Sequence, residues 1–131
     1  MKNKMIGFIG CGNMGKAMLG SLISSGEIRK ENIIVSAKTE ASKEVIEKEF
    51  AVKATNDNKE VAAKANIIFL AVKPHFFKEV ISEIKDVVSK DSIIVSIAAG
   101  ITIEQIEEYF GFAVKVIRTM PNTPALVGEG M

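Results

Sequence analysis

The sequence predicts an α/β fold: a Rossmann-type, doubly wound, mostly parallel six-stranded sheet with helices on both faces. Three observations predict it. Short apolar runs alternate with stretches of helical periodicity along the whole chain. The first run, Ile6-Gly7-Phe8-Ile9, leads straight into Gly10-Cys11-Gly12-Asn13-Met14-Gly15, a G-x-G-x-x-G turn at the head of a helix. A second apolar run follows that helix, and helix between two buried runs implies a parallel βαβ unit.

In the glycine turn, Gly10 permits the tight bend, Gly12 lets the backbone approach a pyrophosphate, and Gly15 lets helix pack on strand. The helix then aims its free N–H groups at the phosphates. A glycine-rich turn alone is weak grounds for nucleotide binding, and the βαβ setting supplies the context it needs.

The first helix spans Asn13 to Ser25 with Lys16 as its only charge, so it is expected to be largely buried, and Gly26 stops it. Asn32 to Ser36 reads as the second strand. Ser42 to Phe50 sets Val45, Ile46 and Phe50 on one face of a surface helix, and Ala51 to Thr55 is a weak edge strand. Asp57-Asn58-Lys59-Glu60 has capping-box spacing and opens a short helix through Ala65. Asn66 to Val72 is continuously apolar in its centre, as a strand covered on both faces must be. Lys73-Pro74 breaks it, and a helix from His75 or Phe76 to Val88 carries Phe77, Val80, Ile81, Ile84, Val87 and Val88 on one stripe. Ser92 to Ile97 is the fifth strand, Thr102-Ile103-Glu104-Gln105 a capping box for a helix ending near Phe110-Gly111, and Lys115 to Arg118 the sixth strand. The expected strand order is 3-2-1-4-5-6.

Composition narrows the function. The 131 residues are 47% hydrophobic and 25% charged, which suits one globular domain spanning 1–131. A net charge of +1 argues against nucleic acid or an anionic membrane as partner and leaves a small molecule. No apolar run approaches the roughly 18 residues of a membrane span, and Met1 to Lys4 leave no room for a leader, so a cytoplasmic protein is expected. With Cys11 the one cysteine and His75 the one histidine, neither a disulfide nor a metal site is expected.

The motifs taken together are more specific. Ile6 to Gly15, Phe69-Leu70-Ala71-Val72-Lys73-Pro74, Val95-Ser96-Ile97-Ala98-Ala99-Gly100 and Met120-Pro121-Asn122-Thr123-Pro124-Ala125-Leu126-Val127 closely resemble the amino-terminal domain of the pyrroline-5-carboxylate reductase family, in order and spacing. The resemblance implies NAD(P)H-dependent reduction of 1-pyrroline-5-carboxylate to L-proline. It also implies a helical carboxyl-terminal domain that forms a homo-oligomer and completes the substrate site, which nothing in this sequence matches.

Carried over by resemblance, Gly10, Cys11, Gly12, Asn13 and Met14 hold the pyrophosphate, and Ala71, Val72, Lys73 and Pro74 line the cofactor channel. Asn58 lies near the adenosine side, and Ala98, Ala99 and Gly100 sit beside the nicotinamide ribose. Met120, Asn122, Thr123 and Pro124 border the nicotinamide and the imine pocket. No catalytic residue is identified, and the isolated domain is expected to turn over little substrate. Lys73, His75 and Arg118 are read as loop, surface and ion-pairing groups, and the Phe76-Phe77 pair as core packing.

The second strand bears on the choice of cofactor. An NAD site usually sets an acid about twenty residues past the glycine turn to bond the ribose hydroxyls. Here Ser36, Lys38 and Thr39 stand at the strand end with no acid before Glu40, which favours the added phosphate of NADP(H). Two other readings compete: a deazaflavin-dependent NADP reductase or β-hydroxyacid dehydrogenase on the same nucleotide domain, and a non-catalytic nucleotide-sensing paralogue. The Asn122-Thr123-Pro124 segment is what separates the first of these.

Overall fold

Strands and helices alternate from the first described residues. They run β1 (Ile6–Ile9), α1 (Asn13–Ser25), β2 (Ile33–Ser36), α2 (Glu40–Phe50), β3 (Lys53–Thr55), α3 (Asn58–Lys64) and β4 (Ile67–Leu70), then α4 (Phe77–Ile84), β5 (Ile93–Ser96), α5 (Ile103–Phe110) and β6 (Lys115–Arg118). This is a computed structural model that describes residues 4–26, 28–98 and 100–118. The six strands form one sheet in the order β3-β2-β1-β4-β5-β6, and every adjacent pair is parallel, so the expected order holds and the sheet is wholly parallel.

Alternation along each strand builds a core on both faces. Ile6, Phe8, Ile33, Val35, Phe69 and Val95 point to one side, where Leu19 of α1 and Ile46 of α2 cover them. Ile9, Ile34, Ile68, Leu70 and Ile94 point to the other, under Val61 of α3, Phe77, Ile81 and Ile84 of α4 and Ile106 of α5. Phe8 and Phe69 stack across β1 and β4 with centroids 4.6 Å apart. Because all strands run the same way, their carboxyl ends lie along one edge, and the order reverses between β1 and β4.

Several boundaries differ from the sequence reading for identifiable reasons. The second helix begins at Glu40, because Thr39 is its N-cap and accepts from the Ser42 amide at 3.1 Å. On that helix Ile46 is buried, whereas Val45 is 46% exposed. The fourth helix follows a 3-10 turn at Pro74–Phe76 and stops at Ile84, with Val87 39% exposed. Asp57 caps α3 through the Lys59 amide, but Glu60 does not close the capping box. Its carboxylate accepts from the Thr55 hydroxyl at 2.7 Å and meets Lys64 and Lys53 at 3.0 and 3.2 Å, tying β3 to α3. The Thr55 bond and then the two ammonium groups pull the Glu60 pKa down to about 2. At α5 the reciprocal bonds of Thr102 and Gln105 form as the spacing predicts.

Candidate functional site

Two adjoining clefts open beside the carboxyl ends of β1, β2 and β4. One, of about 250 Å³, is bounded by Gly10, the strand-end segment Ser36 to Lys38, Asn56 and Asn58, and by Phe76, Glu79 and Glu83 at the head of α4 and along it. The other, of about 420 Å³, lies against Gly10 to Gly12, Ser42 and Ile46 of α2, and Ala71 to Lys73. Gly10, Ala37, Lys38, Val72 and Phe76 line both, so the two form one groove across the switch point.

The glycine turn brings the backbone close to β4 and leaves the start of α1 open. Gly10 adopts a φ of 79°, and a Cβ there would stand 2.6 Å from Val72 Cγ1, so only glycine keeps β1 and β4 this close. A Cβ on Gly15 would come within 3.0 Å of Ala71 Cβ, which is the close helix-to-strand approach the spacing implies. At Gly12, by contrast, a Cβ would meet nothing within 4 Å. Gly12 is the N-cap of α1, no side chain caps it, and the first turn carries no acid. The first N–H groups of a 13-residue helix thus point from an uncapped end beside open space, and this donor set fits a dinucleotide pyrophosphate.

At the far side of the groove, Lys38 is exposed at the end of β2, and its Nζ lies 4.9 Å from the Phe76 ring centroid, a cation–π arrangement that holds the ammonium over the cleft. Phe77 lies in the core with no exposure, and Phe76 packs against the same cluster as expected while its half-buried ring also faces the groove. Thr39 spends its oxygen on the α2 cap and its hydroxyl hydrogen on Ser42, and it lines neither cleft. Ser36 is 1% exposed. Its Oγ accepts from the Gly10 amide at 3.2 Å and donates to Asn58 Oδ1 at 2.6 Å, while Asn58 Nδ2 donates to Glu83 Oε1 at 2.9 Å.

Cys11 lines the groove as a half-buried thiol. Burial above all pushes its pKa up to about 11, with a smaller rise from Glu49, and nearby Lys16 opposes this only in part. Lys73 and Pro74 are exposed at the end of the β4 segment, and His75 stacks on Phe76 with centroids 4.3 Å apart. Ala98 is buried, its amide 3.4 Å from Ser96 Oγ, and Gly100 takes a φ of 84° just past β5; neither lines the two clefts. Met14 is partly exposed on α1. Ala99, Met120, Asn122, Thr123 and Pro124 lie outside the described residues, as does the Asn13 side chain.

The structure adds Ala37, Asn56, Phe76, Glu79 and Glu83 to the groove. Positions 76, 79 and 83 recur at helical spacing directly after the strand-end segment 71–74, a signal present in the sequence. Among the described residues no helix is long and apolar enough to cross a membrane, and no three or more His, Cys, Asp or Glu side chains gather as a metal site.

The family model described as NADP oxidoreductase, coenzyme F420-dependent, matches residues 5–100. The pyrroline-5-carboxylate reductase of Escherichia coli (strain K12) is 49% identical over 128 residues, covering 98% of this chain and 48% of that protein. Among solved structures, a pyrroline-5-carboxylate reductase from Coxiella burnetii superposes with a TM-score of 0.89 at 35% identity, covering 96% of this chain and 47% of the other. The Plasmodium falciparum pyrroline carboxylate reductase with NADP bound gives 0.84 at 34% identity, covering 98% of this chain and 46% of the other. The chain spans about half the length of the curated relatives it matches.

Proposed function

Because this chain belongs to the family described as NADP oxidoreductase, coenzyme F420-dependent, we propose that it is the cofactor-binding part of a reductase, and specifically of one that converts 1-pyrroline-5-carboxylate to L-proline. The observation that carries this reading is the reach of the likeness. The family model ends at residue 100, whereas the 49% identity to a pyrroline-5-carboxylate reductase extends over 128 of 131 residues and so takes in the region of Asn122-Thr123-Pro124. A second reading, a deazaflavin-linked NADP reductase, draws its support from the description of that shorter match.

A reduced nicotinamide cofactor supplies, when bound, the two electrons and one of the two hydrogens that turn the cyclic imine into the amine. The chain's own residues bind and orient. The backbone of Gly10 to Met14 holds the pyrophosphate at the uncapped start of α1. Ala71 to Pro74 wall the channel, Asn58 serves the adenosine side, and Ala98 to Gly100 keep side chains small near the nicotinamide ribose. Met120, Asn122, Thr123 and Pro124 border the imine pocket, and a helical second half of the protein supplies the remaining substrate contacts and a homo-oligomer interface. The protein works in the cytoplasm on a small-molecule substrate.

NADPH is the preferred cofactor. Lys38 is the cation at the β2 end, the strand end itself offers no acid before Glu40, and the Phe76 ring beneath the ammonium holds it towards a ribose phosphate, against the charge of Glu79 and Glu83 across the same cleft. Ser36 serves this side through Gly10 and Asn58, because its hydroxyl is buried and already engaged. Replacing Lys38 by Ala is expected to weaken NADPH binding about tenfold and NADH binding little, the worth of one charge-assisted contact. Equilibrium titration of both cofactors measures this, and equal losses for the two remove Lys38 from the phosphate contact. The reaction itself is tested by assaying the full-length protein and this chain with 1-pyrroline-5-carboxylate and each reduced nicotinamide cofactor. Proline formation is expected from the first and little from the second. Reduction of a deazaflavin in place of the imine selects the second reading.

A further inference from the structure

Resting on the reading that the groove takes a nicotinamide dinucleotide, we propose that Ser36, Asn58 and Glu83 form a one-way hydrogen-bond relay in which Glu83 is a positioning residue that fixes the orientation of the Asn58 amide. At one end stands the Gly10 N–H, which can only donate and which is shared between the Ser36 carbonyl oxygen and Ser36 Oγ, each at 3.2 Å. The Ser36 hydroxyl, which has one hydrogen to give, directs it to Asn58 Oδ1 at 2.6 Å. Asn58 Nδ2 then donates to Glu83 Oε1 at 2.9 Å, and a carboxylate can only accept.

A relay that ends on a pure acceptor has one self-consistent direction. Turned over, the Asn58 amide would set its oxygen against the Glu83 carboxylate and take from the Ser36 hydroxyl the acceptor of its hydrogen. Asn58 is left with one Nδ2 hydrogen and free Oδ1 capacity, so its remaining donor has a fixed place beside the cleft that Asn58 and Glu83 both line. The same relay links the glycine turn, the end of β2, the first turn of α3 and α4 through side chains. Glu83 therefore acts on the cofactor through Asn58, even though its own charge is unfavourable to a phosphate nearby.

That opposition makes the proposal separable from a simple charge effect. Cofactor affinity is measured by equilibrium titration of the intact protein with NADPH and with NADH, alongside thermal midpoints. Glu83→Ala is expected to weaken both cofactors about fivefold, the worth of one lost orienting hydrogen bond, with the midpoint little changed because Glu83 is exposed. Glu83→Gln, whose carbonyl oxygen still accepts from Asn58, is expected to restore most of that loss. Ser36→Ala combined with Glu83→Ala is expected to cost no more than the larger single loss, since the groups act as a unit.

Wild-type affinity in Glu83→Ala overturns the relay, as does tighter binding in both Glu83 variants, which marks charge alone. Losses that simply add in the double variant overturn it too. The two Glu83 variants decide the matter should Ser36→Ala fail to fold. A wild-type protein that binds neither cofactor overturns the underlying reading and the relay with it, and that outcome is distinct from a wild type that binds while its variants match it.

Discussion

A thiol in a glycine turn at a helix start invites a nucleophilic role, and the surroundings of Cys11 oppose it. A nucleophilic cysteine needs a stabilised thiolate, from a cation or a helix start acting without heavy burial. Cys11 packs against the core face under α1 and α2, and that burial outweighs Lys16 and raises its pKa from 9.0 to about 11. The thiol is therefore neutral at pH 7 and serves as a compact, uncharged wall of the groove. With the folded-state value above the ordinary one, iodoacetamide at pH 8 should meet about a hundredfold less thiolate than a free cysteine offers, and the labelling rate should climb with pH until about 11. Labelling of the folded protein as fast as that of a small thiol at pH 8 would contradict this.

The turn between β1 and α1 offers a matched pair of substitutions. Gly10→Ala puts a side chain on a φ of 79° and a carbon 2.6 Å from Val72 Cγ1, so it should destabilise by about 1–3 kcal/mol or more through strain and displacement of β4. Gly12→Ala meets no protein atom within 4 Å and should alter stability by no more than about 1 kcal/mol, yet under the proposed function it intrudes on the pyrophosphate. Thermal melts and cofactor titration on both should give one unstable variant and one stable variant that binds weakly. Normal NADPH affinity in Gly12→Ala would remove the pyrophosphate from this turn.

These glycines were legible because their spacing repeats a backbone requirement, and the strands because a run such as Ile67-Ile68-Phe69-Leu70 has no polar face to show water. The rest depended on competition between neighbours. Thr39 has two uses open to a hydroxyl at a strand end, and the backbone of α2 takes it. Glu60 has the spacing of a capping partner, but Thr55, Lys53 and Lys64 are closer claimants. Phe76 and Glu83 follow the helical period of α4, which tells which positions share a face but not that this end of the helix meets the carboxyl end of β2. That meeting is set by the sheet order.

The sheet order also divides the protein into a working centre and two unequal margins. β1 and β4 are each flanked by strands on both sides, covered above and below, and their carboxyl ends carry the glycine turn and the Ala71 to Pro74 wall. β3 is a three-residue edge held by its link to α3, and β6 is an edge whose Lys115, Ile117 and Arg118 are exposed. Opening free energies should follow this arrangement, since an amide in a doubly covered central strand exchanges only when both layers separate. Hydrogen exchange should then be slowest in β1 and β4 and fastest in β6 and β3. Because the groove draws its walls from the centre, NADPH should slow exchange in residues 11–16 and 71–76 and leave β6 unchanged. Protection that spreads to β6 while sparing the glycine turn would move the cofactor to the other half of the sheet, and with it every role assigned to Lys38, Asn58 and Gly12.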